Sequence, residues 1–189
     1  MKFNDYFPNP ILINLDRRKD RLEQFDKQAK ALGINYERFQ AIESVDPRLG
    51  CKLSHMAALS KYDSDVIFIF EDDAVFVDDF HKQFEQAMDW VPRDWQMLYF
   101  GAHMLQKQRV NDYWYRSLEC SSTHAYAVKR QFAHRLIKAG MNPTNHIDVD
   151  YASLHKDLIA YVARPTLIYQ GPGYSDILGS DVDYKDLYF

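Results

Sequence analysis

The stretch IFIFEDDAVF, residues 67–76, decides how the rest of the chain is read. Together with Val66 its first residues form an apolar run without alternation, the pattern of a parallel strand covered by helices on both faces. The run ends on Glu71, Asp72 and Asp73, and the chain then turns apolar again. Adjacent carboxylates at the end of a buried strand repel one another and lose hydration, so the arrangement points to a divalent cation that offsets them. Oxygen donors suit Mg²⁺ or Mn²⁺, and neither a cysteine nor a histidine pair stands nearby in sequence to suggest zinc. The competing reading is three acids that cap a turn or face water.

On the N-terminal side, PILINL (10–15) reads as a buried strand, with Asp16 as N-cap of a helix over residues 17–33. Leu22, Phe25, Ala29 and Leu32 recur there at helical spacing, and Gly33 closes the helix. NYERFQAI (35–42) reads as a second strand. GCKLSHMAALSKY (50–62) reads as a second helix, with Leu53, Met56, Ala57 and Ser60 along one face.

Beyond the acids, residues 78–90 read as a helix with Phe80, Phe84, Ala87 and Met88 inward. WQMLYFG (95–101) and THAYAV (123–128) read as strands, and RQFAHRLIKAG (130–140) as a helix closed by its glycine. Residues 147–155 read as helical and LIAYVARP (158–165) as a late strand. The intervening segment 103–122 reads as the longest irregular loop, a candidate lid or binding loop. Strands alternating with helices predict an α/β fold with a mostly parallel sheet flanked by helices, as a single domain over 1–189.

Composition narrows the functional classes. At 47% apolar and 15% aromatic residues the chain is globular, and its net charge of -4 gives no reason to expect nucleic-acid binding. Cys51 and Cys120 match neither a disulfide framework nor a zinc spacing, which favours reduced thiols. The N-terminal MKFNDYFPNP has no apolar core of the signal-peptide kind, and no run approaches the roughly 18 apolar residues of a membrane span. The expected setting is cytoplasmic, without a transmembrane segment and with room for peripheral membrane association. A metal held by one or two carboxylates completes its shell with substrate phosphates and water, which points to a diphosphate-bearing substrate. Arg17, Arg18, Lys19 and Arg21 could share that charge, since cations at a helix start call for an anion.

INLDRRKDR, GCKLSH, IFEDDAVF, WQMLYFG, THAYAV, HIDVDY and YQGPGYSDI occur in that order, and the chain thereby resembles glycosyltransferase family 25 from Ile11 to Ile177. The family comprises lipopolysaccharide and capsule glycosyltransferases related to the collagen galactosyltransferases. The resemblance implies a GT-A-like fold and metal-dependent, inverting sugar transfer, commonly of galactose from UDP-galactose, to a glycan or glycoconjugate acceptor. EDD occupies the place of the DxD-type motif, with Asp73 and Glu71 as metal ligands and Asp72 toward the ribose or sugar. Asn14, Leu15, Arg17 and Arg21 match the nucleotide-binding start of the family, and Ser54 and His55 its Ser-His pair. Gln170, Ser175 and Asp176 become candidates for the donor pocket. The nucleotide-sugar half then covers about 8–101 and the acceptor side about 102–189.

Inversion in one displacement needs a carboxylate to take the acceptor proton, and Asp148 and Asp150 of HIDVDY are the candidates, with Asp148 preferred. Capping of a helix start is the bland alternative for Asp148. His146 is a candidate to complete the metal shell. Two other functions fit part of the pattern: a nucleotide-sugar-binding protein without turnover, and a metal-dependent phosphohydrolase.

Overall fold

Alternation along residues 66–71 builds both faces of the molecule. In the computed structural model, which describes residues 2–188, the chain runs α1 (Phe3–Tyr6), β1 (Ile11–Asn14), α2 (Lys19–Leu32), β2 (Glu37–Gln40), α3 (Pro47–Lys61) and β3 (Val66–Glu71). Next come β4 (Ala74–Phe76), α4 (Phe80–Asp89), β5 (Met97–Tyr99), β6 (His103–Arg109), β7 (Trp114–Ser121) and β8 (Ala125–Lys129). The chain continues through α5 (Arg130–Gly140), α6 (Ile147–Ala152), β9 (Ala160–Ala163), β10 (Ile168–Gln170), β11 (Gly173–Ser175) and β12 (Ser180–Val182).

Eight strands form one sheet in the order β2-β1-β3-β8-β5-β9-β7-β6. β1 is parallel to β2 and β3, and β5 to β9, whereas β8 and β7 run against their neighbours. Six strands thus point one way in a mixed α/β sheet. Phe68 and Phe70 face a cluster with Phe3, Phe25, Phe80, Phe84 and Phe100, under α1, α2 and α4. Ile67 and Ile69 face the other side, with Ile11, Tyr99, Tyr126, Leu136 and Tyr151, under α3, α5 and α6. Each fully buried Phe or Ile contributes about 1.5–3 kcal/mol by leaving water.

Several expectations change. Asp16 does not cap α2, whose N-cap residue is Arg18 without a side-chain cap; Asp16 instead accepts from Arg38 at 2.6 Å and Gln40 at 2.6 Å, tying the end of β1 to β2. Gly33 does close the helix, at φ 61°. Gly140 ends α5 without a left-handed turn, and Met141 follows in right-handed geometry. Its use is close packing, because a Cβ there would meet Met56 Sδ at 3.0 Å and Ile147 Cδ1 at 3.1 Å.

α3 starts earlier than expected, at Pro47, with Asp46 accepting from the Arg48 amide at 2.9 Å. Its buried residues are Gly50, Lys52, Ser54, His55, Ala58 and Leu59, whereas Leu53, Met56 and Ala57 are half-buried and Ser60 is exposed. An apolar stripe misleads on this helix because its inward face carries polar groups with partners. The segment 103–122 is no irregular loop: β6 and β7 form a hairpin at the sheet edge. Two register shifts near Gln106 break the period of two, and β7 buries Trp114, Ser117 and Cys120 three apart, so strand alternation is hidden in the sequence.

Candidate functional site

β1 and β3 are parallel neighbours with Ile13 opposite Glu71, so their carboxyl ends deliver Asn14 and Asp72 to the same edge, where ligands of open α/β sheets bind. Asn14 is buried and donates to Asp72 Oδ2 at 2.7 Å, while its own oxygen accepts from Arg38 at 2.9 Å. Arg21, in the first turn of α2, donates to Asp72 Oδ1 at 2.9 Å, Asp73 Oδ2 at 3.1 Å and the Tyr174 carbonyl at 2.9 Å. Arg17 and Arg18 precede the helix and both bond Asp176 at 2.9 Å. The anions that these arginines offset include the protein's own carboxylates, a correction to the picture of a bare basic turn.

The acids are placed unequally. The period of two carries Glu71 to the Ile67–Ile69 face, where its Oε1 accepts from Thr123 Oγ1 at 2.6 Å and lies 3.2 Å from His55 Nε2. Burial opposes ionisation of Glu71, but the bond and charge of His55, with Thr123, outweigh it and bring the carboxyl to about 2. Asp73 accepts from Gln170 Nε2 at 3.0 Å, and its Oδ1 is buried without a hydrogen-bond partner. Burial, then the charge of Glu71, push Asp73 up to about 7. Gln170 reaches it because β10 pairs with β4, setting Gln170 opposite Ala74. Gly171 then bonds the Asp73 carbonyl at 2.8 Å, and a Cβ there would stand 2.8 Å from Val75 Cγ2.

Two adjoining cavities open over these groups. The first, about 130 Å³, is lined by Leu15, Arg17, Arg21, Ser54, His55 and all three acids, with Gln170, Ser175 and Asp176 opposite. The second, about 230 Å³, is lined by His103, Ser122, Thr123, His146, Asp148 and Tyr184. Cys51, Glu71, Gln170, Ser175 and Ile177 border both. The structure thus gathers the sequence-derived donor residues around one cavity, with Asn14 bracing Asp72 beside it.

It separates others. Asp148 lines the second cavity, its Oδ2 accepting from the Ser122 amide at 3.1 Å. Asp150 lies outside both cavities, only 3% exposed, paired with Lys52 at 2.5 Å and bonded by Asn145 at 3.0 Å. Lys52 also donates to the carbonyls of Asn142 and Asn145, so it pins the segment that presents His146 and Asp148. Asp73, Glu71 and His146 do not close into one ligand set: among the described residues, the His, Cys and carboxylate atoms that gather are those of Cys51, His55 and Glu71. His124 donates Nε2–H to the Ile168 carbonyl at 2.9 Å and is held down at about 4 by burial, a structural role.

Sequence reasoning missed Thr123, Tyr126 and His103, which arrive from the β7–β8 connection, β8 and β6, distant along the chain from His55 and Glu71. Cys51 was legible, standing one helical turn before His55, but reads as mere packing until Glu71 is placed opposite.

No protein-family model matches the chain, and a search of curated proteins finds no match. Among solved structures, the chain is similar to A197 from STIV, with a TM-score of 0.52 and 15% identity over 92% of each chain. A glycosyltransferase involved in the glycosylation of the major capsid of PBCV-1 gives 0.49 at 8% identity, over 82% of this chain and 91% of that one. UDP-glucose pyrophosphorylase complexed with UDP-glucose gives 0.49 at 9% identity, over 82% and 72%. At 15% identity the likeness to A197 is one of fold. No helix among the described residues is long and apolar enough to cross a membrane.

Proposed function

We propose that the chain is a GT-A-like, metal-dependent inverting glycosyltransferase of the family 25 type, moving a sugar, galactose in the first instance, from a UDP-sugar to a glycan or glycoconjugate hydroxyl. The observation that carries this reading is the pair of cavities meeting at Glu71 and Gln170, with the Asp72–Asp73 pair on one side and Asp148 on the other. Residues 8–101, read as the nucleotide-sugar half, supply most of the first cavity, and residues 102–189, read as the acceptor side, most of the second.

The residues fit a hard cation at one point. Asp73 Oδ1 is a buried carboxylate oxygen with no protein partner, and Mg²⁺ or Mn²⁺ is held by one or two carboxylates with phosphates and water. Such an ion, when bound, offsets the charge of a leaving diphosphate. The chain's own groups do the rest. Arg21 fixes both aspartates, Asn14 fixes Asp72, and Arg17 borders the cavity where an anionic donor lies. Asp148 takes the proton of the acceptor hydroxyl from the second cavity, on the side away from the leaving nucleotide. Asp150 is withdrawn from that role by its pairing with Lys52.

Melting curves with UDP and UDP-galactose, with and without Mn²⁺, test the reading. Ligand at 100 times Kd adds about 2.7 kcal/mol, and the gain should vanish with EDTA. Equal stabilisation without metal would remove the cation. Donor binding without UDP release across a panel of glycan acceptors would leave a nucleotide-sugar-binding protein.

A further inference from the structure

The chain separates His55 from Glu71 by sixteen residues, and only folding sets them face to face. Cys51 and His55 are one helical turn apart on α3, so their side chains project from the same side. The Cys51, His55 and Glu71 ligand atoms all lie within 4.8 Å of one another, and His55 Nε2 is already 3.2 Å from Glu71 Oε1. Tetrahedral zinc bonds of about 2.0–2.3 Å set ligand atoms roughly 3.3–3.8 Å apart, so side-chain shifts of about 1 Å close the set.

The surroundings are those of a prepared site. His55 Nδ1 lies 3.1 Å from the Tyr126 hydroxyl, a partner that orients the ring and leaves Nε2 for a cation. Thr123 Oγ1 donates to Glu71 at 2.6 Å and orients that carboxylate. Cys51 and Glu71 border both cavities, so a fourth coordination position opens onto shared space. Three protein ligands with one open position is the arrangement by which zinc meets water or a bound ligand.

We propose that Cys51 Sγ, His55 Nε2 and Glu71 form a binding site for one thiophilic divalent cation of the Zn²⁺ class, separate from the hard-cation position at Asp73. The ion stands where the two cavities join and holds α3 to the end of β3. No zinc ligand stands beside the acidic triplet in sequence, because Cys51 and His55 come from α3.

Titration with Co²⁺, followed by displacement with Zn²⁺, tests this. One equivalent of Co²⁺ should produce tetrahedral visible bands and a thiolate-to-cobalt charge-transfer band, both lost on adding Zn²⁺. Cys51→Ser should abolish the charge-transfer band, whereas Cys120→Ser should keep it, since Cys120 is buried against the sheet. Tyr126→Phe should weaken binding about 10- to 100-fold through the lost orienting hydroxyl. Asp73→Asn should keep the cobalt spectrum while losing Mn²⁺-dependent UDP binding, which separates this proposal from the glycosyltransferase reading. A six-coordinate cobalt spectrum without a thiolate band in the wild-type protein would overturn the site, whether or not Cys51→Ser folds. So would a charge-transfer band that survives in Cys51→Ser.

Discussion

Two pairs of aspartates, Asp72–Asp73 after β3 and Asp148–Asp150 on α6, look alike in sequence and differ in what surrounds them. Asp72 is held by Asn14 and Arg21, whereas Asp73 keeps one oxygen without a partner. Asp150 is buried against Lys52, whereas Asp148 borders a cavity. Arg21 reaches both members of the first pair, yet one oxygen of Asp73 stays unclaimed, whereas in the second pair Lys52 holds Asp150 and leaves Asp148 at the cavity wall. What an acid is free to do thus depends on which neighbours have already claimed its lone pairs.

The sharpest way to break the comparison is at Asp150. Lys52→Met leaves a buried, unpaired carboxylate and should cost about 3–5 kcal/mol in a denaturant melt. Replacing both partners with apolar residues should recover most of that loss, because no charge is then stranded. A Lys52→Met protein as stable as wild type would mean that Asp150 reaches water, and Asp150 would return as a candidate base.

Asp148→Asn should leave Mn²⁺-dependent UDP binding intact and lower the rate of transfer about 10²- to 10⁴-fold, the usual contribution of a general base. Single-turnover assays separate this from a loss of affinity. Transfer at wild-type rate would place the base outside α6.

Asp73→Asn addresses the first pair. The carboxyl of Asp73 sits at about 7 in the fold against 3.8 in model compounds. Its stabilising contribution is therefore complete below about pH 4 and is lost as the pH rises through about 7. His124 and His155, both held at about 4 by burial, run the other way, losing stability as the pH falls below their ordinary value of 6.5. The informative quantity is the wild-type minus mutant difference, in which the histidines cancel. Asp73→Asn should gain stability relative to wild type between pH 5 and 8, by about 1.4 kcal/mol for each pKa unit relieved. A difference that does not change with pH would show that Asp73 is ionised throughout and already neutralised by Arg21.

The smallest effect belongs to Gln170→Leu, which removes the bond to Asp73 Oδ2 but leaves Oδ1 untouched. It should raise the Mn²⁺ concentration needed for UDP binding by only a few-fold, since a typical hydrogen bond contributes about 0.5–1.5 kcal/mol net and Arg21 still donates to the same oxygen. A loss as large as that of Asp73→Asn would make Gln170 a direct ligand.

Much of this was legible from residues alone. The apolar run before Glu71 marked the central strand, and helical spacing placed Phe80, Phe84, Ala87 and Met88 inward, as they are. The residues that the family 25 resemblance implied for the donor side line one cavity or, like Asn14, brace it, with Ser54 and His55 reaching it from the middle of α3. The hairpin at 103–121 was not legible, because an edge strand exposed to water and shifted in register has no alternation to show. The inward face of α3 was not legible either, since burial of Lys52 and His55 depends on partners that sequence cannot supply.

Residue order alone carries the α/β alternation, the acidic end of β3 and, through the odd-even parity of residues 67–71, the placement of Glu71 on the face of Ile67 and Ile69. These follow from local rules: the period of a strand, the spacing of a helix, and the crowding of like charges. Folding alone sets which carboxylate oxygens are claimed by neighbours and which, like Asp73 Oδ1, are not, and it brings Cys51 and His55 opposite Glu71. Those outcomes depend on distances between segments far apart in the chain, and a hydrogen bond or a metal bond exists only within a few ångströms.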